Sequence, residues 1–578
     1  MRKKYLSLEI IIFFLGLVCL FFEHIRGNYA ELLSRISVYL YAAAALVAVL
    51  LTVLKIRGIE YKGFYIRKNS ISLVLTALFI AVFILRVLSS PGIAGIVAEV
   101  LPVFIILRSV VVLFELSSRI KQIDIFLQEL FSHPARTILI SFLLVILLGT
   151  ILLKLPVATV DGKGLTFLNS LFTSTSAVCV TGLIVVDTAT VFTLFGKLVI
   201  LGLIQIGGLS IIILSFFVIF MLRKRVSLES KLLISYVLSE DDVTAISSSI
   251  KKIIIVTLFF EGGGALLLFG RFFGQFHSAG RAVLFAVFHA VSAFCNAGFA
   301  LFTNSLEEYV SDPYISVTVA VLIIAGGLSF AVFSNLFENM RDRLAGRKNG
   351  MRTFIRKLTL NTKIVLGVSA VLVLTGMFLF YALEHRSALK TYSTGTQYLA
   401  AFFQSVTLRT AGFNTVPIGM LGTGTLLIMM LYMFIGGASG STAGGIKVNT
   451  FTAILVWVKS AVKREPRITL YNNTLDREIV LRGLLIVLFG FGTVIAGTVI
   501  MSLTEQAPLE HILFEAVSAF GTVGLSAGIT GTLTIVGRIV IIVMMFIGRT
   551  GPLTILAAMN EREQRSKYEY PRGDILIG

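Results

Sequence analysis

The sequence is short of charge, of cysteine and of paired metal ligands. Asp, Glu, Lys and Arg make up only 14% of its 578 residues, against roughly a quarter in soluble globular domains. With a mean hydropathy of +0.93, that scarcity excludes a soluble protein, a disordered chain and a nucleic-acid binder. The three cysteines, Cys19, Cys179 and Cys295, lie in apolar or Gly-flanked segments without paired spacing. This excludes a disulfide framework and a zinc site. The six histidines, His24, His133, His277, His289, His385 and His511, are scattered, and none pairs at ligand spacing. There is no phosphate-binding loop and no convergent set of nucleophile, acid and base, so an enzyme is not expected. The net charge of +19 first suggests inner loops rich in Lys and Arg.

What the chain has instead is long apolar runs. A crossing helix needs about 20 apolar residues. Four such segments precede residue 120, at 6–23, 36–54, 71–89 and 97–116. Eight more follow at 136–156, 191–222, 252–275, 313–337, 363–384, 423–458, 482–503 and 533–557, making twelve expected crossings. No small-residue cleavage site follows Cys19-Leu20-Phe21-Phe22, which favours an anchor over a signal peptide. With the N-terminus inside, segments 55–69, 118–136, 222–252, 338–363, 459–482 and 559–578 carry most of the 50 Lys and Arg residues. Both termini are therefore expected on the cytoplasmic side of the membrane. Each inner loop is too short for a domain of its own.

Between paired long segments lie four shorter apolar stretches that align without gaps. They read Phe172-Thr-Ser-Thr-Ser176-Ala-Val-Cys179-Val180-Thr181-Gly182-Leu183, then Phe288-His-Ala-Val-Ser292-Ala-Phe-Cys295-Asn296-Ala297-Gly298-Phe299. The others are Phe402-Phe-Gln-Ser-Val406-Thr-Leu-Arg409-Thr410-Ala411-Gly412-Phe413 and Phe514-Glu-Ala-Val-Ser518-Ala-Phe-Gly521-Thr522-Val523-Gly524-Leu525. The aligned glycines are 116, 114 and 112 residues apart. The expected fold is an all-α polytopic membrane protein with four helix–pore loop–helix repeats around a central pore. Its parts are 1–120 (four extra N-terminal helices), 136–222, 252–340, 363–460 and 482–560 (the repeats), and 561–578 (a cytoplasmic tail).

Irregular backbone at membrane depth is tolerated where it is buried or lines a water-filled path. Glycine there lets carbonyls turn toward one axis and replace the hydration shell of a cation. A short helix aims its partially negative C-terminal end at the same place. The four-residue segments ending at Gly182, Gly298, Gly412 and Gly524 are thus expected to be filter strands, with K+ at their carbonyls. Thr522-Val-Gly-Leu525 and Val180-Thr-Gly-Leu183 look like degenerate forms of the potassium-channel filter text.

The helix after the third stretch is interrupted by Gly436-Gly437-Ala-Ser-Gly440-Ser441-Thr-Ala-Gly444-Gly445. Each glycine costs a helix interior about 1 kcal/mol relative to Ala, so 436–445 reads as a break within the membrane and a movable gate. Lys447 follows it. The last long segment carries Arg538 and, in an apolar run, Arg549. An intramembrane charge is a functional hypothesis by default. Arg549 could be an electrostatic barrier and could hydrogen-bond carbonyls of the 436–445 loop. Glu515 is expected to brace the fourth filter and His289 to be a structural hydrogen-bonding group; Glu261 is the other membrane-centre carboxylate.

These pieces resemble the Trk/Ktr/HKT superfamily of potassium transporters over roughly residues 136–578. The most specific are 174–183, Leu203-Ile-Gln205-Ile-Gly207-Gly208-Leu209, Gly440-Ser-Thr-Ala-Gly-Gly-Ile-Lys447 and 520–526. The tail Tyr568-Glu-Tyr-Pro571-Arg-Gly-Asp-Ile-Leu-Ile-Gly578 resembles Ktr-type subunits. The resemblance implies a homodimer with one pore per protomer, K+ as transported ion with Na+ as a further candidate, and no organic cofactor. It also implies a cytoplasmic ring of nucleotide-binding regulatory subunits. By the same resemblance the four aligned glycines are filter glycines, 436–445 is the gating loop and Arg549 faces it. Residues 1–120 depart from the family's usual unit. Their Leu107-Arg108 helix has too few arginines for a voltage sensor, so packing or assembly is expected there. The competing reading of the whole chain is an ion-coupled secondary transporter with its site at broken helices.

Overall fold

The computed structural model describes residues 30–57, 70–88, 134–209, 246–344 and 351–559, with a few isolated positions before residue 110. Among these residues the chain is mostly helical. In the N-terminal part, α1 (Ala30–Arg57) packs on α2 (Ser70–Leu88). Arg108 is buried there, and its Nε donates to Thr76 Oγ1 at 3.3 Å. The expected helices at 6–23 and 97–116 lie largely outside the described residues, as does 561–578.

The rest is built from four helix triplets. The first is α3 (Pro134–Lys154), α4 (Phe167–Val178) and α5 (Leu194–Gly208), the second α6 (Ile246–Phe276), α7 (Ala279–Phe294) and α8 (Pro313–Gly327). After α9 (Phe330–Leu344) and the short α10 (Met351–Lys357) comes the third, α11 (Leu360–Glu384), α12 (Thr394–Thr407) and α13 (Thr423–Phe434). Helix α14 (Val448–Val462) leads to the fourth, α15 (Arg477–Thr504), α16 (Leu509–Gly521) and α17 (Ile535–Thr550), followed by α18 (Pro552–Met559). The middle helices are short because the sequence starts and stops them. Thr166 and Ser393 cap two of them by accepting from the amides of Asn169 and Thr396, a bond that satisfies an orphan donor of the first turn.

Packing between triplets is cyclic. The third helix of each triplet packs on the short middle helix of the next: α5 on α7, α8 on α12, α13 on α16, and α17 back on α4. At the seam Arg136 Nε donates to Ala558 O at 2.9 Å. The four short helices therefore surround one axis. The large residues after the aligned glycines, Leu183, Phe299, Phe413 and Leu525, are all buried in the same core. Phe172, Phe288 and Phe514 are fully buried, while in the third triplet Phe403 takes that role and Phe402 is only partly buried.

Two expected continuous crossings are broken. Segment 313–337 ends as α8 at Gly327 and turns by 99° into α9; segment 533–557 ends as α17 at Thr550 and turns by 90° into α18. The causes are local. Gly326 and Gly327 offer their carbonyls to another segment instead of to the next turn, and Gly551 (φ 80°) precedes Pro552. A small antiparallel hairpin, Ile468–Leu470 with Asn473–Leu475, also interrupts the all-helical expectation. By length and composition, three of the described helices could cross a membrane, or up to five if each bent pair is one span. The expected 423–458 run is divided by its glycine-rich segment into Thr423–Phe434 and Val448–Val462.

Candidate functional site

Each short helix ends in a turn that closes on a left-handed glycine: Gly182 (φ 96°), Gly298 (70°), Gly412 (77°) and Gly524 (90°). Two residues earlier, Val180 (56°), Asn296 (58°), Thr410 (67°) and Thr522 (50°) are left-handed as well. A β-branched residue is rarely held there, so Val180, Thr410 and Thr522 are positions the surroundings impose. A left-handed residue at every second position breaks the regular alternation of an extended strand. The intervening amides point back to the helix ends. Thr181 N donates to Ser176 O at 2.8 Å, Ala297 N to Ser292 O at 2.7 Å, Ala411 N to Thr407 O at 3.0 Å and Val523 N to Ser518 O at 2.8 Å. The repeated serine adds a second anchor: the amides of Gly182 and Gly524 donate to Ser176 Oγ and Ser518 Oγ at 3.1 Å. Ser292 Oγ instead donates to Phe299 O at 2.7 Å, and Val406 has no such group.

The glycines form a closed ring. A methyl on Gly182 would sit 2.6 Å from the Ala297 carbonyl oxygen, one on Gly298 2.8 Å from that of Ala411, and one on Gly412 2.5 Å from that of Val523. A methyl on Gly524 would overlap the Thr181 carbonyl and close the circuit. One level below, toward the helix ends, Cys179 and Cys295 are helix C-caps and Gly521 is the last helical residue. Arg409, also expected in the filter, is buried, and its Nε and Nη2 have no hydrogen-bond partner among the described residues. A guanidinium has no acceptor, so it can offer a cation only its backbone carbonyl.

Below the ring lies the 436–445 loop. Its neck is tied by Gly436 N to Ile446 O at 2.8 Å and Ile446 N to Phe434 O at 3.3 Å. Gly440 (φ 76°) and Gly445 (φ 63°) make its turns. Gly444 abuts Thr522 so closely that a methyl would strike the Thr522 hydroxyl. The buried Ser441 donates to Ala438 O at 2.7 Å and Lys447 Nζ to Ala443 O at 2.5 Å, both within the loop region. Gly437 O accepts from Val448 N at 3.0 Å.

Two further triplets hold the loop directly, and a third is tied in through Arg549. Ala438 N donates to Gly327 O at 3.1 Å and Thr442 N to Gly326 O at 3.2 Å. Thr442 Oγ1 reaches Gly326 O at 2.9 Å and Phe294 O at 3.3 Å. From the fourth triplet, buried Arg549 donates through Nη1 to Thr442 O and through Nη2 to Gly207 O. Arg549 and Thr442 thus join segments of all four triplets at one level.

That level carries a second glycine series, which sequence reasoning missed. Gly207-Gly208, Gly326-Gly327, Gly436-Gly437 and Gly548-Arg549 occupy the ends of the four third helices. Methyls on Gly207, Gly326 and Gly548 would collide with the carbonyls of Val178, Phe294 and Phe520, in the last turn of the short helix of the same triplet. Arg549 stands where the other triplets have their second glycine.

Above the ring, a polar collar links neighbours. Asp187 accepts from Thr303 Oγ1 at 3.0 Å, Glu307 from Asn414 Nδ2 at 2.7 Å, and Asn169 Oδ1 from Arg538 Nη1 at 2.7 Å. Behind the fourth strand, Glu515 accepts from Ser526 Oγ at 2.8 Å and from Thr530 Oγ1. His289 Nε2 accepts from Leu301 N at 3.3 Å while Nδ1 bonds Phe285 O at 2.7 Å, which fixes a neutral ring with the proton on Nδ1. Cys295 Sγ lies 3.7 Å from Glu261 Oε1. Glu384, unremarked in the sequence, binds Thr425 Oγ1 at 2.5 Å and the Gly422 amide at 3.3 Å.

Comparison with known proteins gives consistent relatives. The family model TrkH, described as a cation transport protein, matches residues 106–569. The Ktr system potassium uptake protein B of Bacillus subtilis is 37% identical over 449 residues, covering 77% of this chain and 97% of the relative. The protein of the same name from Vibrio alginolyticus is 38% identical over 445 residues, 77% of this chain and 94% of the relative. The potassium/sodium uptake protein NtpJ of Enterococcus hirae is 34% identical, covering 77% and 97%. The crystal structure of the potassium transporter TrkH from Vibrio parahaemolyticus aligns with a TM-score of 0.60 and 17% identity, over 85% of this chain and 98% of that one, which establishes likeness of fold.

Proposed function

The chain belongs to the TrkH family of cation transport proteins, and on that footing we propose that it carries K+ into the cell across the cytoplasmic membrane. It is a multi-pass membrane transporter rather than an enzyme. The observation that carries the proposal is the closed ring of four left-handed glycines at the ends of four convergent short helices. Carbonyls held this way offer a dehydrating cation oxygen ligands in place of water. The helix ends add partial negative charge at the same point. The strands 179–182, 295–298, 409–412 and 521–524 are the proposed filter.

The 436–445 loop and Arg549 are the proposed gate. A guanidinium on the axis repels cations, and its two carbonyl bonds tie the loop, at Thr442, to the end of α5, at Gly207. The positive-inside pattern supports cytoplasmic termini, with the collar facing outward. The similarity to Ktr system proteins supports a homodimer with a cytoplasmic nucleotide-binding regulatory ring. The similarity to NtpJ keeps Na+ as a second ion.

The test is radioactive Rb+ uptake into liposomes containing the purified chain, with excess K+ or Na+ as competitor. Stronger competition by K+ than by Na+ is expected. Absence of any cation flux, even with the 436–445 loop shortened, would remove the pore reading and favour a coupled transporter.

A further inference from the structure

The filter glycines open above onto a cavity of about 300 Å³ whose lining includes Gly182, Gly298, Gly412, Gly524, Asn414 and Glu307. Among the described residues lining it, Glu307 bears the one ionisable side chain. It lies on the 3-10 turn Glu307–Tyr309, in the loop that follows the second strand. The Asn414 amide is its single side-chain donor among the described residues, at 2.7 Å. A carboxylate has about four acceptor sites, so most of its capacity is left for water or a cation. Around it, Leu306 N donates to Asn414 O at 3.0 Å and Asn414 N to Ser305 Oγ at 3.2 Å. These bonds fix the turn against the third triplet, two residues beyond Gly412.

We propose that Glu307 forms a cation-recruiting site in this cavity, where a hydrated monovalent cation waits before entering the glycine ring. The site rests on the pore reading and deepens it. One sign of charge in a low-dielectric cup concentrates its counter-ion and raises the capture rate, an effect that salt weakens. The four triplets supply this charge unequally. The second loop has Glu307 at the mouth, while the third meets it with neutral Asn414. Two nearby carboxylates are engaged elsewhere. Asp187 accepts from Ala189 N, Thr190 Oγ1 and Thr303 Oγ1, and Asp312 is ion-paired with Arg271 at 2.8 Å. Glu308 adjoins on the same turn.

Burial also holds the Glu307 carboxyl above the ordinary carboxylate range, although the Asn414 bond opposes the shift. The group is therefore neutralised at a higher pH than an exposed glutamate would be. Capture should weaken as external pH falls through that raised value.

The experiment measures initial Rb+ uptake by cells that lack other K+ uptake systems and express the full chain. It compares Glu307→Gln and Glu307→Asp with the parent at equal membrane abundance. Glu307→Gln should raise the apparent KM roughly three- to tenfold at low ionic strength, leave the maximal rate unchanged, and lose that difference at high ionic strength. Its KM should also become flat with external pH where the parent's rises on acidification. Glu307→Asp keeps the charge and should stay near the parent. A Glu307→Gln KM equal to the parent's at low ionic strength would overturn the site, as would equal, salt-independent damage by both variants, which is what a purely structural Asn414 clamp would give. Saturable, K+-competed uptake by the parent keeps the pore reading standing in either case; its absence would remove both.

Discussion

Uptake through Arg549→Gln should exceed that of the parent chain by on the order of tenfold or more when no activating partner is present. Two bonds from a charged donor, to Thr442 O and Gly207 O, hold the loop under the glycine ring. Hydrogen bonds to charged groups contribute about 1.5–3 kcal/mol each, and about 1.4 kcal/mol is a factor of ten. Losing their charge moves the loop equilibrium by at least that factor and removes a repelling cation from the proposed path. Thr442→Val isolates the other half of the crossbar. It keeps the shape and the backbone carbonyl that Arg549 binds, but deletes the hydroxyl contacts to Gly326 O and Phe294 O. A neutral hydrogen bond is worth about 1 kcal/mol, so roughly a fivefold rise is expected. Both substitutions cut one linkage, so the double variant should gain less than the product of the two effects. Radioactive Rb+ influx into proteoliposomes decides this. An Arg549→Gln flux no greater than the parent's would mean that the crossbar is not what closes the path.

The cyclic arrangement was legible because four copies of one text carry the same glycine at nearly constant spacing. Chance does not produce Gly182, Gly298, Gly412 and Gly524 in register between long apolar runs. The serine six residues before the glycine was legible as a repeat but not as a device. That Ser176 and Ser518 accept from the glycine amides follows from the turn, not from the repeat. The second glycine series stayed hidden for a different reason. Gly326-Gly327 sits inside an apolar run, and hydropathy scores such a run as one crossing. What ends α8 there is the capture of its last carbonyls by Ala438 and Thr442, more than a hundred residues later in the chain. Composition carries no trace of that. Arg549 was legible as a buried charge facing the 436–445 loop, but not as one of a series; its register with Gly207-Gly208 would have placed it at the level of the helix ends. The polar collar was unreadable because Glu307–Asn414 joins two connecting segments and Arg538–Asn169 joins α17 to α4, with no shared pattern.

Gly524→Ala should lower cation flux by more than a hundredfold while the protein still assembles in the membrane, and Gly528→Ala should not. The two glycines have nearly the same backbone, φ 90° and φ 97°. Each alanine therefore carries a similar penalty for the left-handed region, roughly 1–2 kcal/mol. They differ in what the new methyl meets. At Gly528 there is nothing within 4 Å, whereas at Gly524 the methyl would overlap the Thr181 carbonyl and crowd the Gly182 Cα at 2.9 Å. Relief requires that carbonyl to turn away, and the ring then loses a ligand that a cation needs in exchange for water. The neighbours cannot give way freely, because Thr181 N and Gly182 N are both tied to Ser176. Strain alone predicts equal loss at the two sites; a ligand ring predicts loss at one. Thermal unfolding of both variants beside their Rb+ flux separates the cases. Comparable destabilisation with flux abolished only in Gly524→Ala assigns the effect to the ring. Equal flux in the two would mean that the close approach of these strands is packing and that the ion path lies elsewhere.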